Sequence, residues 1–228
     1  MTLLSVQNVS KTFEDHHYKV HAARDVSLDV NPGEMVAIVG PSGSGKTTLL
    51  NLMGLVILPD SGEIYIDGNK ASAMNDRLRC AARNQYFGYI VQDFALIEED
   101  TAMENILVPT LYSKCRKRPK EYRERILNMA EKMQIQDKLN SRVKKLSGGE
   151  RQRVGVIRSM INDQQIILAD EPTGALDKEN SEIVMQCLKE FVSDENKTVV
   201  IVTHDLSIAS QCDRIFSLKE GVLNAVEL

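Results

Sequence analysis

The most restrictive feature of the chain is one short glycine-rich run. Gly40-Pro41-Ser42-Gly43-Ser44-Gly45-Lys46-Thr47 satisfies the pattern G-x-x-x-x-G-K-[ST] at every fixed position. It follows Glu34 to Val39, an apolar run that reads as a buried strand, and precedes Leu49 to Leu55, which reads as a helix. The glycines let the backbone wrap closely, so that successive N–H groups converge on an anion. The helix behind the loop adds its N-terminal partial positive charge. In this setting Lys46 reaches the β- and γ-phosphates of a nucleotide, and the hydroxyl of Thr47 is a ligand for Mg²⁺. Thr48 completes the same set of nucleotide-binding candidates.

A phosphate loop needs a carboxylate on the metal side and a group that orients the attacking water. Gln165 to Ala169 reads as a buried strand and delivers Asp170 at its C-terminal end, where parallel sheets collect their ligands. Asp170 is the candidate for Mg²⁺, and Glu171 next to it the candidate general base. Further strands are expected at Val26 to Val30, Glu63 to Ile66, Tyr86 to Val91, Thr198 to Val202, Arg214 to Leu218 and Val222 to Val226. Lys178 to Val192 reads as a helix. Thr101 and Glu104 form a capping box for another, and Pro119 suits the first turn of a third that carries Tyr122, Ile126, Met129, Ala130 and Met133. Buried strands alternating with helices give an α/β fold with a mainly parallel sheet.

Composition sets the outer limits. The 228 residues carry 28 Lys+Arg against 32 Asp+Glu, a net charge of −4, and that acidic excess argues against nucleic acid as a partner. The longest apolar stretch, Leu49 to Leu58, is interrupted by Asn51 and Gly54 and is too short to span a bilayer. The N-terminal MTLLSVQNVSK has neither a basic run nor a cleavage site and does not read as a secretory signal. Cys80, Cys115, Cys187 and Cys212 are widely spaced, without a C-x-x-C pair, and read as reduced thiols.

Leu146-Ser147-Gly148-Gly149-Glu150, followed by Arg151-Gln152-Arg153, adds a second anion site on physical grounds alone. Ser147 is a good N-cap, and Gly148 and Gly149 leave N–H groups unobstructed at a positive helix end. With this segment the chain resembles the ATP-binding cassette (ABC) transporter ATPases over nearly its whole length. Glu150 stands where the family more often has Gln, and the Val156 to Met160 stretch also departs from its usual residues. The resemblance implies one domain over residues 1–228. In it, a P-loop NTPase core of residues 1–92 and 163–228, with an N-terminal antiparallel β part, carries an inserted α-helical subdomain at 93–162. It implies ATP and Mg²⁺ as ligands and a second copy of the chain paired head to tail. Ser147, Gly148 and Gly149 of one copy would then close on the ATP held by the other. It further implies a separate transmembrane permease as partner, at the cytoplasmic face of the cell membrane.

Other positions follow from the resemblance one at a time. Phe13 matches the aromatic that stacks on adenine, with a core role as the rival reading. Gln92 matches the residue that reaches Mg²⁺ and the attacking water. Asp177, in Ala175-Leu176-Asp177, matches the loop that couples the two sites. His204 matches the histidine at the γ-phosphate, whereas His16, His17 and His21 receive no role.

The run Ile167 to Asp177 is similar to the branch containing macrolide exporters, lipoprotein-releasing systems and antimicrobial-peptide resistance pumps. Two alternatives stay open. The motifs do not cleanly separate the chain from a regulatory cassette of the cell-division type. A cassette protein of DNA repair or translation fits less well, since the chain has one copy of each motif and no coiled-coil or zinc insert. After Gln92, Phe94, Leu96 and Ile97 precede Glu98, Glu99 and Asp100. That segment is either an apolar floor with an acidic rim for a basic permease helix, or part of the chain's own core.

Overall fold

A computed structural model describes residues 2–15, 18–113, 117–174 and 176–226. His16, His17, Cys115 and Ala175 therefore lie outside the described residues. The chain opens with strands β1 (Leu4–Asp15), β2 (Tyr18–Val30) and β3 (Met35–Val39), then helix α1 (Lys46–Met53). Next come β4 (Ser61–Ile66), β5 (Asn69–Lys70), α2 (Asp76–Tyr86) and β6 (Phe87–Ile90). A helical stretch follows with α3 (Ala102–Leu107), α4 (Pro119–Lys132) and α5 (Gly148–Met160). The chain ends in β7 (Ile166–Asp170), α6 (Lys178–Ser193), β8 (Thr198–Thr203), α7 (Leu206–Ala209), β9 (Arg214–Lys219) and β10 (Val222–Val226).

Among the described residues the strands form two sheets, an antiparallel one in the order β2-β1-β4-β5 and a larger one in the order β10-β9-β3-β8-β7-β6. In the larger sheet every pairing from β9 to β6 is parallel, and β10 runs antiparallel at the edge. Its central strands β3, β8 and β7 are buried on both faces, which is why they read as unbroken apolar runs. Val36, Ile38, Leu168, Val200 and Val202 point to a core shared with α1 and the antiparallel sheet. Ala37, Ile167, Ala169, Val199 and Ile201 point to the opposite core, shared with α3 to α6. The period of two in side-chain direction thus separates the layers. In α4, Tyr122, Ile126, Ala130 and the capping residue Met133 are buried at the predicted helical spacing, and Met129 is half-buried.

Several elements depart from the sequence expectations, among them β1, β5, α2, α7 and the first half of β2. β1 was not anticipated, because three register irregularities against β2 and a left-handed Asn8 break its alternation. Helix α2 was missed because it buries only Ala82 and so has almost no apolar stripe. Its usable signal was Asn75, which caps the helix by accepting the Leu78 N–H. Cys80, Cys187 and Cys212 are free thiols, and burial pushes those of Cys187 and Cys212 up to about 12. No helix of the described residues is long and apolar enough to cross a membrane.

Candidate active site

The C-terminal ends of four neighbouring parallel strands deliver the candidate residues to one place. The glycine-rich loop leaves β3, Asp170 ends β7, His204 follows β8, and Gln92 lies just past β6. With Phe13 from β1 they line a cleft of about 580 Å³, together with Ser42, Gly43, Gly45, Thr47, Thr48 and Glu171. Phe13 is 45 % exposed, so the core reading does not hold for it. Val20, which pairs with Phe13 across β1 and β2, also lines the cleft, and sequence reasoning had passed over it. The Lys11 ammonium lies 5.7 Å from the centre of the Phe13 ring.

The loop has the geometry of an anion cradle. Gly43 and Gly45 have φ values of 77° and 103°, in the left-handed region where glycine is favoured. A Cβ on Gly45 would stand 2.1 Å from the carbonyl oxygen of Ala22, whereas at Gly43 it would meet open space. We therefore expect Gly45→Ala to lose nucleotide affinity and to lower the urea midpoint, at a cost above about 1 kcal/mol. Gly43→Ala bears only the backbone strain, so the difference between the two variants measures the clash. Lys46 Nζ donates to the carbonyls of Gly40 at 2.8 Å and Pro41 at 3.0 Å, which holds its charge inside the loop. Ser44 is buried beneath it, its hydroxyl without a protein partner.

Opposite the loop stand the two carboxylates. Thr47 Oγ1 donates to Asp170 Oδ2 at 2.7 Å. Burial pushes the Asp170 carboxyl above its ordinary value and the neighbouring Glu171 adds to this, against the Thr47 hydrogen bond and the Lys46 charge. A hydroxyl, a carboxylate and the nearby amide of Gln92 are hard oxygen donors of the kind Mg²⁺ takes alongside nucleotide phosphates. Glu171 sits at φ 46° immediately after β7, and its N–H donates to Val202 O. Its Oε1 accepts the His204 N–H at 3.0 Å and lies 2.8 Å from His204 Nδ1, and its Oε2 accepts from Thr203 Oγ1 at 2.9 Å.

Ser147, Gly148, Gly149 and Asp177 do not line this cleft. Ser147 caps α5 in a reciprocal box, accepting the Glu150 N–H at 3.3 Å while Glu150 Oε2 accepts the Ser147 N–H at 2.8 Å. Partial burial raises the Glu150 carboxyl, but the Ser147 hydrogen bonds and the charges of Lys138 and Arg153 outweigh it and hold the group below its ordinary value. The departure from Gln at this position thus keeps the cap intact. Ser147 and Gly148 are exposed, so the N-terminus of α5 faces solvent. Asp177 caps α6 by accepting the Asn180 N–H, and Asn180 Oδ1 in turn accepts from Arg153 of α5. Gln152, buried in α5, donates to the carbonyl of Pro172 at 2.8 Å. Helix α5 is therefore tied to the turn that carries Glu171.

The segment after Gln92 divides between its two readings. Leu96 packs against the core, and Ile97 is half exposed. Glu98 pairs with Arg151, and Glu99 with Arg142 and Lys144, so two of the three rim acids have cationic partners within the chain. Phe94 and Ala95 adopt left-handed φ, and both of their carbonyls accept from Arg158 of α5.

Comparison with known proteins agrees with this geometry. Residues 23–174 match the family described as ABC transporter. The ABC transporter ATP-binding protein MJ0796 of Methanocaldococcus jannaschii is 38% identical over 99% of this chain and 97% of its own length. The lipoprotein-releasing system ATP-binding protein LolD of Saccharophagus degradans is 39% identical over 95% of this chain and 94% of its own. The macrolide export ATP-binding/permease protein MacB of Bartonella quintana is 38% identical over 98% of this chain, which spans 33% of that protein's length. A dimeric structure of MJ0796 in a post-hydrolysis state, bound to ADP and Pi, superposes with a TM-score of 0.91 over 99% of both chains at 36% identity. From the phosphate loop to the helix opened by Ser147, the chain belongs to the ABC transporter family, as one of its ATP-hydrolysing cassettes.

Proposed function

We propose that the chain is the ATPase subunit of an export-type transporter, in which two copies pair head to tail around ATP and drive a separate permease at the cytoplasmic membrane face. The observation that carries this reading is the separation of two anion-binding devices. The glycine-rich loop lines the cleft with Asp170 and Glu171, while the exposed N-terminus of α5 lies outside it. One copy has no second phosphate to offer the α5 terminus, and a partner copy does.

In this reading Phe13 stacks on the adenine, the loop N–H groups and Lys46 hold the phosphates, and Thr47, Asp170 and Gln92 hold Mg²⁺. Mg²⁺ held by these residues would supply charge compensation for the phosphate oxygens. Glu171 accepts a proton from the attacking water, and His204 contacts the γ-phosphate region. Asp177 and the Ser147–Gly149 stretch complete the partner's site.

The test is complementation. Lys46→Ala retains a sound Ser147 terminus, and Ser147→Arg retains a sound phosphate loop. Each alone is expected to lack turnover, and mixing them restores it, because one composite site in each mixed pair is intact. Two inactive variants that stay inactive when mixed would overturn the head-to-tail arrangement.

For the permease we assign a different surface from the Asp93 to Asp100 segment. A groove of about 530 Å³ is lined by Val56, Phe87, Val108, Tyr112 and Arg158, and Tyr112 is 75 % exposed. Arg158 connects that groove to the turn after Gln92 through the Phe94 and Ala95 carbonyls. Tyr112→Glu is expected to keep fold and ATP binding and to stop co-purification with the permease, whereas Leu96→Glu, a charge placed against the core, lowers the melting temperature of the isolated chain. Retained co-purification of Tyr112→Glu would remove the groove from the docking surface.

A further inference from the structure

Thr203 has no role in the reading above, yet it makes a direct hydrogen bond to the residue on which the chemistry depends. It is the last residue of β8 and is 1 % exposed. Its hydroxyl accepts the Asp205 N–H at 3.0 Å and donates to Glu171 Oε2 at 2.9 Å. A hydroxyl has one proton, and the Asp205 N–H occupies the acceptor side, so the Thr203 proton is directed to the carboxylate. The other oxygen of Glu171 is held by the backbone N–H of His204, and its own N–H is held by Val202. Three consecutive residues at the end of β8 therefore fix Glu171 at three atoms. Of these contacts only the Thr203 bond and the His204 ring depend on side-chain identity.

We propose that Thr203 is a positioning residue for ATP hydrolysis, its hydroxyl fixing the plane of the Glu171 carboxylate toward the nucleotide cleft. The proposal rests on the assignment of Glu171 as the base. The left-handed φ of 46° at Glu171 gives the arrangement its logic. That conformation is costly for a residue with a Cβ, and it is maintained where surrounding contacts over-determine it. A carboxylate free to rotate about its terminal torsion, which is broad and roughly two-fold, would present its oxygens in many planes. The Thr203 bond selects one. General-base catalysis is sensitive to such placement, since a misplacement of about 1 Å costs up to about 10²-fold.

The test compares Thr203→Val, which keeps the shape and removes the hydroxyl, with Thr203→Ser, which keeps the hydroxyl. In the purified full chain, Thr203→Val is expected to lower kcat by about 10-fold while the Kd for ATP stays unchanged, and Thr203→Ser restores kcat. Placed in a Glu171→Gln background, Thr203→Val produces no further loss, because the group it orients is gone. Thr203→Ala serves the same comparison if the valine variant folds poorly. Wild-type kcat in both hydroxyl-free variants would overturn the proposal. So would a loss that Ser does not rescue, or one that persists at full size in the Glu171→Gln background, since either marks a purely structural role. If Glu171→Gln itself turns over ATP at the wild-type rate, the assignment of the base fails, an outcome separate from all of these.

Discussion

Replacing Lys46 with alanine is expected to cut ATP turnover by about 10²–10³-fold while leaving the chain folded. The residues lining the nucleotide cleft include one permanent cation, Lys46, and two carboxylates, Asp170 and Glu171. Removing the cation leaves an acidic cleft facing a triphosphate. The loop N–H groups and the N-terminus of α1 still attract phosphate, so binding weakens rather than vanishes. Chemistry suffers more, because charge gathers on the γ-phosphoryl oxygens as it transfers and a fixed positive group beside it acts most strongly there. Loss of one such group costs about 10²–10³-fold in turnover. Lys46 is held by the Gly40 and Pro41 carbonyls and makes no direct ion pair, so its removal breaks no salt bridge; it withdraws only a longer-range charge that favours the ionised Asp170, and the melting temperature moves little. Phosphate release and fluorescent-nucleotide binding on the purified variant measure the two effects separately. Wild-type turnover would remove the phosphate-loop assignment.

Much of this site was legible in the sequence, for identifiable reasons. The phosphate loop depends on backbone torsions that glycine alone adopts easily, so its residues are fixed in spacing and type, as Gly43 and Gly45 illustrate. Asp170 stood out because a strand buried on both faces, β7, leaves an unmistakable apolar run that ends at the cleft. Phe13 and His204 were reached only through resemblance, since a lone aromatic or histidine in sequence carries no geometry of its own. Thr203 was invisible for a different reason. Its role comes from the adjacency of β7 and β8, which places residues 32 apart within hydrogen-bonding distance, and no local pattern announces that pairing. The acidic run Glu98 to Asp100 shows the reverse case, a local pattern whose partners lie elsewhere in the chain. Read alone it offers charge to a partner, but Arg142, Lys144 and Arg151 return from far along the chain to neutralise Glu98 and Glu99.

Glu171→Gln is expected to retain ATP binding, to lose about 10²–10⁴-fold in hydrolysis, and to convert the chain into a stable ATP-dependent dimer. The substitution preserves size and leaves an amide oxygen able to accept the His204 N–H that Glu171 Oε1 accepts in the wild type. What it removes is the capacity to take a proton from water. It also removes one negative charge beside Asp170, whose carboxyl is pushed up by burial and, to a lesser degree, by Glu171. A triphosphate in the cleft therefore meets less repulsion, which favours the bound state. With hydrolysis halted, ATP persists between the phosphate loop of one copy and the Ser147 terminus of the other, and the interface it bridges persists with it. Size-exclusion chromatography should give a dimer with ATP and Mg²⁺ and a monomer without nucleotide. Adding Ser147→Arg to Glu171→Gln should abolish the dimer while each monomer still binds ATP, because the phosphate loop is untouched and only the partner's contact is blocked. A Glu171→Gln chain that remains monomeric at saturating ATP would contradict the head-to-tail site, since nothing else in the variant opposes association.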